Sequence, residues 1–256
     1  MNPLNRVTRR HFGLMAGGTL ATFAFADGCR DTAAAPGNDG RLPARPRKGV
    51  TTTAKSDRLG LDSERDAILH LPPDAVAPLP LLVYLHGATQ RAEGMLRRLG
   101  AATDAAGVVL LAPDSRATTW DAIRDDFGPD VLFLNRALER VFETVAIDPA
   151  RIAIGGFSDG ASYALSLGMI NGDLFTHVIA NSPGFVINGS AHGKPKIFVS
   201  HGTADQILPI EQCSRMIVPA LRGRHYDVMF KEFPGRHEIP AEIAAEGLRW
   251  FVDTSR

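Results

Sequence analysis

The chain has 256 residues, 45% of them hydrophobic, and its 28 Lys plus Arg are balanced by 28 Asp plus Glu. That length and apolar content suit one large domain or two small ones and exclude a chain disordered throughout. A formal charge of zero, with no long basic run interleaved with aromatics, lacks the footprint of a nucleic-acid binder and favours small neutral or locally charged substrates.

In chain order, the first segment differs from the rest. Asn5 to Leu14 carries arginines and no acid, and the uncharged run Phe12 to Ala26 follows. With Thr8, Arg9, Arg10, Phe12 and Leu14 at the motif positions, residues 1–26 resemble a twin-arginine signal, which implies the export machinery as a partner and a periplasmic or extracellular location. The run is shorter than the roughly 20 apolar residues of a membrane span and holds Gly13, Gly17 and Gly18, so no transmembrane span is expected in the mature protein. Two processing sites compete: Ala24-Phe25-Ala26 fits ordinary signal peptidase, and Asp27-Gly28-Cys29 resembles a degraded lipoprotein site that would lipidate Cys29. Cys29 and Cys213 are the only cysteines, which gives neither a disulfide framework nor a cysteine zinc site. Residues 27–55, rich in Ala, Pro, Gly and Arg without apolar period, read as a linker, and the catalytic domain is expected over 56–256.

From there short β-rich runs alternate with segments of helical period, the pattern of an α/β domain around a mostly parallel sheet. Predicted strands are Ala67–Leu71, Leu81–His86, Val108–Ala112, Ile152–Phe157, His177–Ala180, Lys196–His201 and Asp227–Phe233. Predicted helices are Met95–Ala106, Asp130–Thr144, Ala161–Met169, Glu211–Leu221 and Pro240–Phe251, with stripes such as Val131, Leu134, Leu138 and Val141 marking core faces. In such a sheet the ligand crevice lies beyond the carboxyl ends of the strands.

Gly156-Phe157-Ser158-Asp159-Gly160 stands where a strand meets a helix, and it has the GxSxG form of a nucleophile elbow. A serine needs a histidine to take its proton and a carboxylate to orient that histidine. Asp205 follows the strand ending at His201, and His237 follows the strand ending at Phe233, so Ser158, Asp205 and His237 occur in the order of the α/β-hydrolase fold. His201 is expected to shape the Asp205 turn. His70 and His177 fall in or beside strands, His225 lies at the wrong sheet end, and His192 lacks a strand lead-in; Asp227 opens a strand, and Ser162 and Ser182 have no elbow. The oxyanion of acyl transfer needs backbone donors, expected from Asp159 and from the turn after the strand at Leu85, with Ala88 before Gly87.

Tyr84 to Gln90, Asp148 to Gly160 and His201 to Pro209 resemble the oxyanion, nucleophile and acid blocks of small α/β-hydrolase esterases. The similar groups are the phospholipase/carboxylesterases and the esterases like polyhydroxybutyrate depolymerases and feruloyl esterases. The resemblance covers Leu81 to Val252 and implies an α/β-hydrolase fold, ester hydrolysis through an acyl-enzyme, and no cofactor or metal. One departure stands out: those relatives commonly carry Gln or Ala after the nucleophile, whereas this chain has Asp159. Its carboxylate would oppose an oxyanion but suits a helix N-terminus, so a structural side chain is expected.

Only 15 residues separate Ala180 from Lys196, which leaves no room for a large cap. The expected cleft is open, suited to small-molecule esters or an ester exposed on a polymer, with Trp120 and Phe127 either on its rim or packed under the loop that carries them. A serine peptidase or acyltransferase on the same fold is the alternative among enzymes. A catalytically idle hydrolase fold used for binding or scaffolding is the alternative outside them. The ester itself and the oligomeric state are not written in the sequence.

Overall fold

The computed structural model describes residues 38–73 and 76–253. The signal segment 1–26, Cys29 and the first part of the expected linker lie outside the described residues.

The chain opens with β1 (Asp57–Arg58) and β2 (Ala67–His70), followed by β3 (Leu79–Leu85), α1 (Ala92–Ala106) and β4 (Val109–Pro113). A short α2 (Asp121–Arg124) and the long α3 (Pro129–Thr144) lead into β5 (Ile147–Phe157), α4 (Asp159–Ile170) and β6 (His177–Asn181). The remainder is β7 (Lys196–Gly202), α5 (Ser214–Gly223), β8 (Val228–Phe233) and α6 (Ala241–Val252). The sheet order is β1-β2-β4-β3-β5-β6-β7-β8, parallel from β4 to β8, with β2 antiparallel to both β1 and β4.

Burial on both faces explains the near-continuous apolar strands. In β3, Leu81, Val83 and Leu85 enter one core, and Leu82 and Tyr84 the other. The first core is closed by α3, α4 and the inner face of α5; the second by α1 and α6 through Met95, Leu99, Ile243, Leu248 and Phe251. Gly107, at φ 65°, ends α1 in the left-handed conformation and sends the chain directly into β4. Asp114, just past β4, accepts the N–H of Ala92 at 2.7 Å and so supplies the N-terminal cap that Arg91 lacks.

Every predicted strand and helix is present, most displaced by one to three residues at an end. β5 is the exception: it begins at Ile147, because after an irregularity in its pairing with β3 the chain still pairs Ile147 with Leu79. Residues 182–195 join β6 to β7 without a helix, so no cap domain is inserted there.

One boundary is corrected. The segment from Gly40 to Thr53, expected as linker, lies against the domain: Leu42 and Ala44 are buried in the first core. Asn171 binds it from both amide ends, accepting the Leu42 N–H and donating to the Gly40 carbonyl, each at 2.8 Å. Arg41 forks onto Asp173 with two 2.8 Å contacts, and its guanidinium holds that carboxyl well below the usual range. A segment without period carries no helix or strand signal, but two apolar side chains and satisfied backbone groups suffice to dock it.

Candidate active site

The chain runs from β3 outward to β4, then returns to place β5 on the other side of β3. The carboxyl ends of β3 and β5 are therefore neighbours where the winding reverses, paired through Leu85 and Gly156. Ser158 leaves β5 at φ 57° and ψ −121°, and α4 starts at the next residue. That left-handed backbone is strained by about 1–3 kcal/mol in a residue other than glycine. It is held by the Ser158 N–H donating to the Asn181 carbonyl at 3.0 Å and by two glycines with no room for a side chain. A Cβ on Gly156 would lie 2.3 Å from the Gly160 carbonyl oxygen, and one on Gly160 would lie 2.4 Å from the carbonyl oxygens of Leu85 and His86. The GxSxG spacing thus meets a packing requirement of this bend.

Three side chains converge there from three strand ends. His237 Nε2 is 2.8 Å from Ser158 Oγ, and His237 Nδ1 is 2.6 Å from Asp205 Oδ2. Asp205 Oδ1 accepts the N–H groups of Ile207 and Leu208, both at 2.9 Å, so the carboxylate is fixed from both oxygens. The His237 loop sits on the end of β7: the N–H of Ala204 donates to the Gly235 carbonyl at 2.9 Å. Gly202 permits this, since a Cβ there would lie 2.2 Å from the Arg236 carbonyl oxygen. The geometry is that of a proton relay from hydroxyl to imidazole, with the imidazole oriented by a carboxylate.

His201 packs beneath Asp205, with Nε2 2.7 Å from the Leu208 carbonyl and 3.2 Å from Asp205 Oδ2, and Nδ1 2.7 Å from the Ser214 hydroxyl. Burial holds its pKa below the ordinary value, so the ring stays neutral while it braces the acid turn, the shaping role expected of it. His225 and His192 are not part of the hydrogen-bonded set at Ser158. His70 binds Asp104 at 2.7 Å, and His177 makes edge contacts with Trp250 and Phe251.

The turn after β3 approaches the serine from the other side. A Cβ on Gly87 would lie 3.3 Å from Ser158 Cβ, so this backbone touches the elbow directly. Among the described residues the N–H groups of Ala88 and Asp159 have no acceptor, leaving both free at the elbow. The turn is built on His86, which sequence reasoning placed in this turn without giving its ring a role. This buried ring donates Nδ1–H to the Gly87 carbonyl at 2.8 Å and accepts the Ser115 N–H at Nε2 at 3.0 Å, and its burial favours the neutral form. Its position directly before Gly87 was the available signal.

Trp120 and Phe127, candidates for the rim, are buried beneath it. Trp120 donates Nε1–H to the His86 carbonyl at 2.8 Å and stacks on Tyr163 at 5.3 Å; Phe127 packs at a tilt against Tyr163 at 5.6 Å. The loop is folded inward by two buried carboxylates. Asp121 accepts the N–H groups of Gly128 and Asp130 and the Tyr163 hydroxyl, and Asp130 accepts the N–H groups of Arg116 and Asp121. Burial raises the Asp130 carboxyl to about 6.

Among the described residues no group of three or more His, Cys, Asp or Glu is arranged to hold a metal ion, and no helix is long and apolar enough to cross a membrane.

A tight strand-to-helix bend at the reversal point of a mostly parallel, helix-flanked sheet is the architecture of the α/β-hydrolase fold, and this chain has that fold. Residues 133–249 match the phospholipase/carboxylesterase family. A putative esterase of Nocardia uniformis subsp. tsuyamanensis, NocK, is 32% identical over 185 residues, which cover 66% of this chain and 53% of the relative. The chain thus spans about half the length of the curated relatives it matches. Two solved structures share the fold. A truncated carbohydrate esterase from gut microbiota has TM-score 0.62 at 17% identity, covering 80% of this chain and 97% of that one. A ferulic acid esterase of Anaeromyces mucronatus, in complex with ferulic acid, has TM-score 0.57 at 21% identity, covering 82% and 93%.

Proposed function

We propose that the protein is a serine carboxylesterase acting through an acyl-enzyme. Ser158 Oγ attacks the ester carbonyl as His237 Nε2 takes its proton, and Asp205 orients the imidazole and stabilises the charge it gains. The N–H groups of Ala88 and Asp159 receive the oxyanion; each such donor is worth roughly 3 kcal/mol in comparable sites. The imidazolium then gives its proton to the leaving alcohol, and a water, deprotonated by the same ring, releases the acid and restores Ser158. The observation that carries the reading is the continuous 2.8 Å and 2.6 Å contact of Ser158, His237 and Asp205 beside free backbone donors. The match to phospholipase/carboxylesterases supports an ester as substrate. The short β6–β7 connection favours a small soluble ester or one exposed on a polymer.

Ser158→Ala provides the test. Hydrolysis of p-nitrophenyl acetate and labelling by a fluorophosphonate probe should both disappear while the protein stays folded. Labelling that persists on another residue overturns the assignment, and a folded wild type that neither reacts nor labels favours a binding role for the fold.

Export is part of the same proposal, supported by Arg9, Arg10 and the uncharged run to Ala26. Mass spectrometry of the mature N-terminus distinguishes cleavage after Ala26 from lipidation at Cys29.

A further inference from the structure

The outer side of α1 and the His237 loop enclose an open groove of about 890 Å³, lined by Gln90, Arg91, Glu93, Arg97, Arg98 and Ile239. Its two walls adjoin the candidate site along the chain: Gln90 lies two residues beyond Ala88, and Ile239 two residues beyond His237. Two of the charges in it are already matched. Arg91 Nε is 3.0 Å from Asp114 Oδ2, and Glu93 is paired with Arg58. Arg97 and Arg98 are exposed and, among the described residues, have no carboxylate within ion-pair distance. Arg98 is held toward the site, with its guanidinium carbon 5.7 Å from the centre of the Phe157 ring, and that ring is 4.7 Å from the His237 ring.

We propose that this groove is a subsite for an anionic group on the ester, so that Arg97 and Arg98 select substrates carrying a carboxylate or phosphate near the scissile bond. The inference rests on the esterase reading above and adds the substrate class. Guanidinium groups match the two-oxygen edge of such anions, and the surplus positive charge draws them to the groove.

Two pairs of probes separate the acyl side of the ester from the alcohol side. Mono-p-nitrophenyl succinate is compared with p-nitrophenyl butyrate, and 4-acetoxybenzoate with its methyl ester. For each pair the ratio of kcat/KM, anionic to neutral, is measured in the wild type, in Arg97→Gln/Arg98→Gln and in Arg97→Lys/Arg98→Lys. On at least one pair the glutamine variant should lower the ratio about tenfold and the lysine variant much less; differences in intrinsic reactivity cancel between variants. Raising salt from 0.05 to 0.5 M, as approximate working limits, should lower the wild-type ratio on the same pair as the charges are screened. Ratios that neither variant nor salt alters on either pair overturn the groove assignment while the esterase stands. Failure to hydrolyse even the neutral esters overturns the esterase reading and this inference with it.

Discussion

The Asp159 carboxylate accepts the Thr119 hydroxyl at 2.6 Å, across 40 positions of sequence. The residue after Ser158 thus directs its charge to the loop that also reaches the turn after β3, where the Thr118 carbonyl accepts the Thr89 N–H at 2.7 Å. Its side chain ties two halves of the site together, and its place in the first turn of α4 suits the helix dipole. Asp159→Asn keeps an acceptor for Thr119, so kcat should change less than about threefold and stability should fall by about 0.5–1 kcal/mol. Asp159→Ala should cost a further ~1 kcal/mol in urea unfolding. A tenfold rise in kcat for the asparagine variant would show instead that the carboxylate opposes the oxyanion.

Gly160 tests the packing of the elbow. A methyl group there meets the backbone carbonyl oxygens of Leu85 and His86 at 2.4 Å, and neither the Cβ nor the backbone it meets can yield cheaply. Gly160→Ala should lose more than about 3 kcal/mol and most esterase activity together. Gly223, where an added Cβ meets nothing within 4 Å, is the control. Its alanine variant should be neutral or stabilised by up to about 1 kcal/mol.

The segment before Ser56 should behave as part of the domain. Leu42→Ala removes a side chain only 1% exposed and should lower stability by about 2–4 kcal/mol. A chain begun at Ser56 should have a lower Tm than one begun at Asp39 by calorimetry; equal values would show that the docked segment contributes nothing.

His177 gives stability a pH dependence. Burial lowers its pKa to about 4 from an ordinary value of 6.5, helped by the Lys196 charge and opposed by Asp227. Above 6.5 the ring is neutral folded or unfolded, and its contribution is fully present. As pH falls from about 6.5 to about 4, the unfolded chain takes up the proton first, and stability is lost. The slope from this group is at most about 1.4 kcal/mol per pH unit, and less because the ring is partly exposed. His177→Leu should flatten urea midpoints measured across that window.

Much of the molecule was legible in the sequence because its signals are local. Strand and helix periods, the glycines around Ser158, and the order of Ser158, Asp205 and His237 each rest on neighbouring residues or on position after a strand. The β5 boundary was not, because Ile147 pairs with Leu79 across an irregularity that no period records.

The sequence by itself therefore determined the α/β alternation, the elbow and the three side chains that converge on it, since backbone preference and apolar period operate over a few residues. Only the tertiary structure decided that Trp120 lies under the site, that Leu42 belongs to the core, that His86 braces the turn after β3, and that Asp159 reaches for Thr119. Those outcomes depend on partners about 30 to 130 positions away, and no local preference distinguishes a tryptophan on a rim from one that donates to the His86 carbonyl.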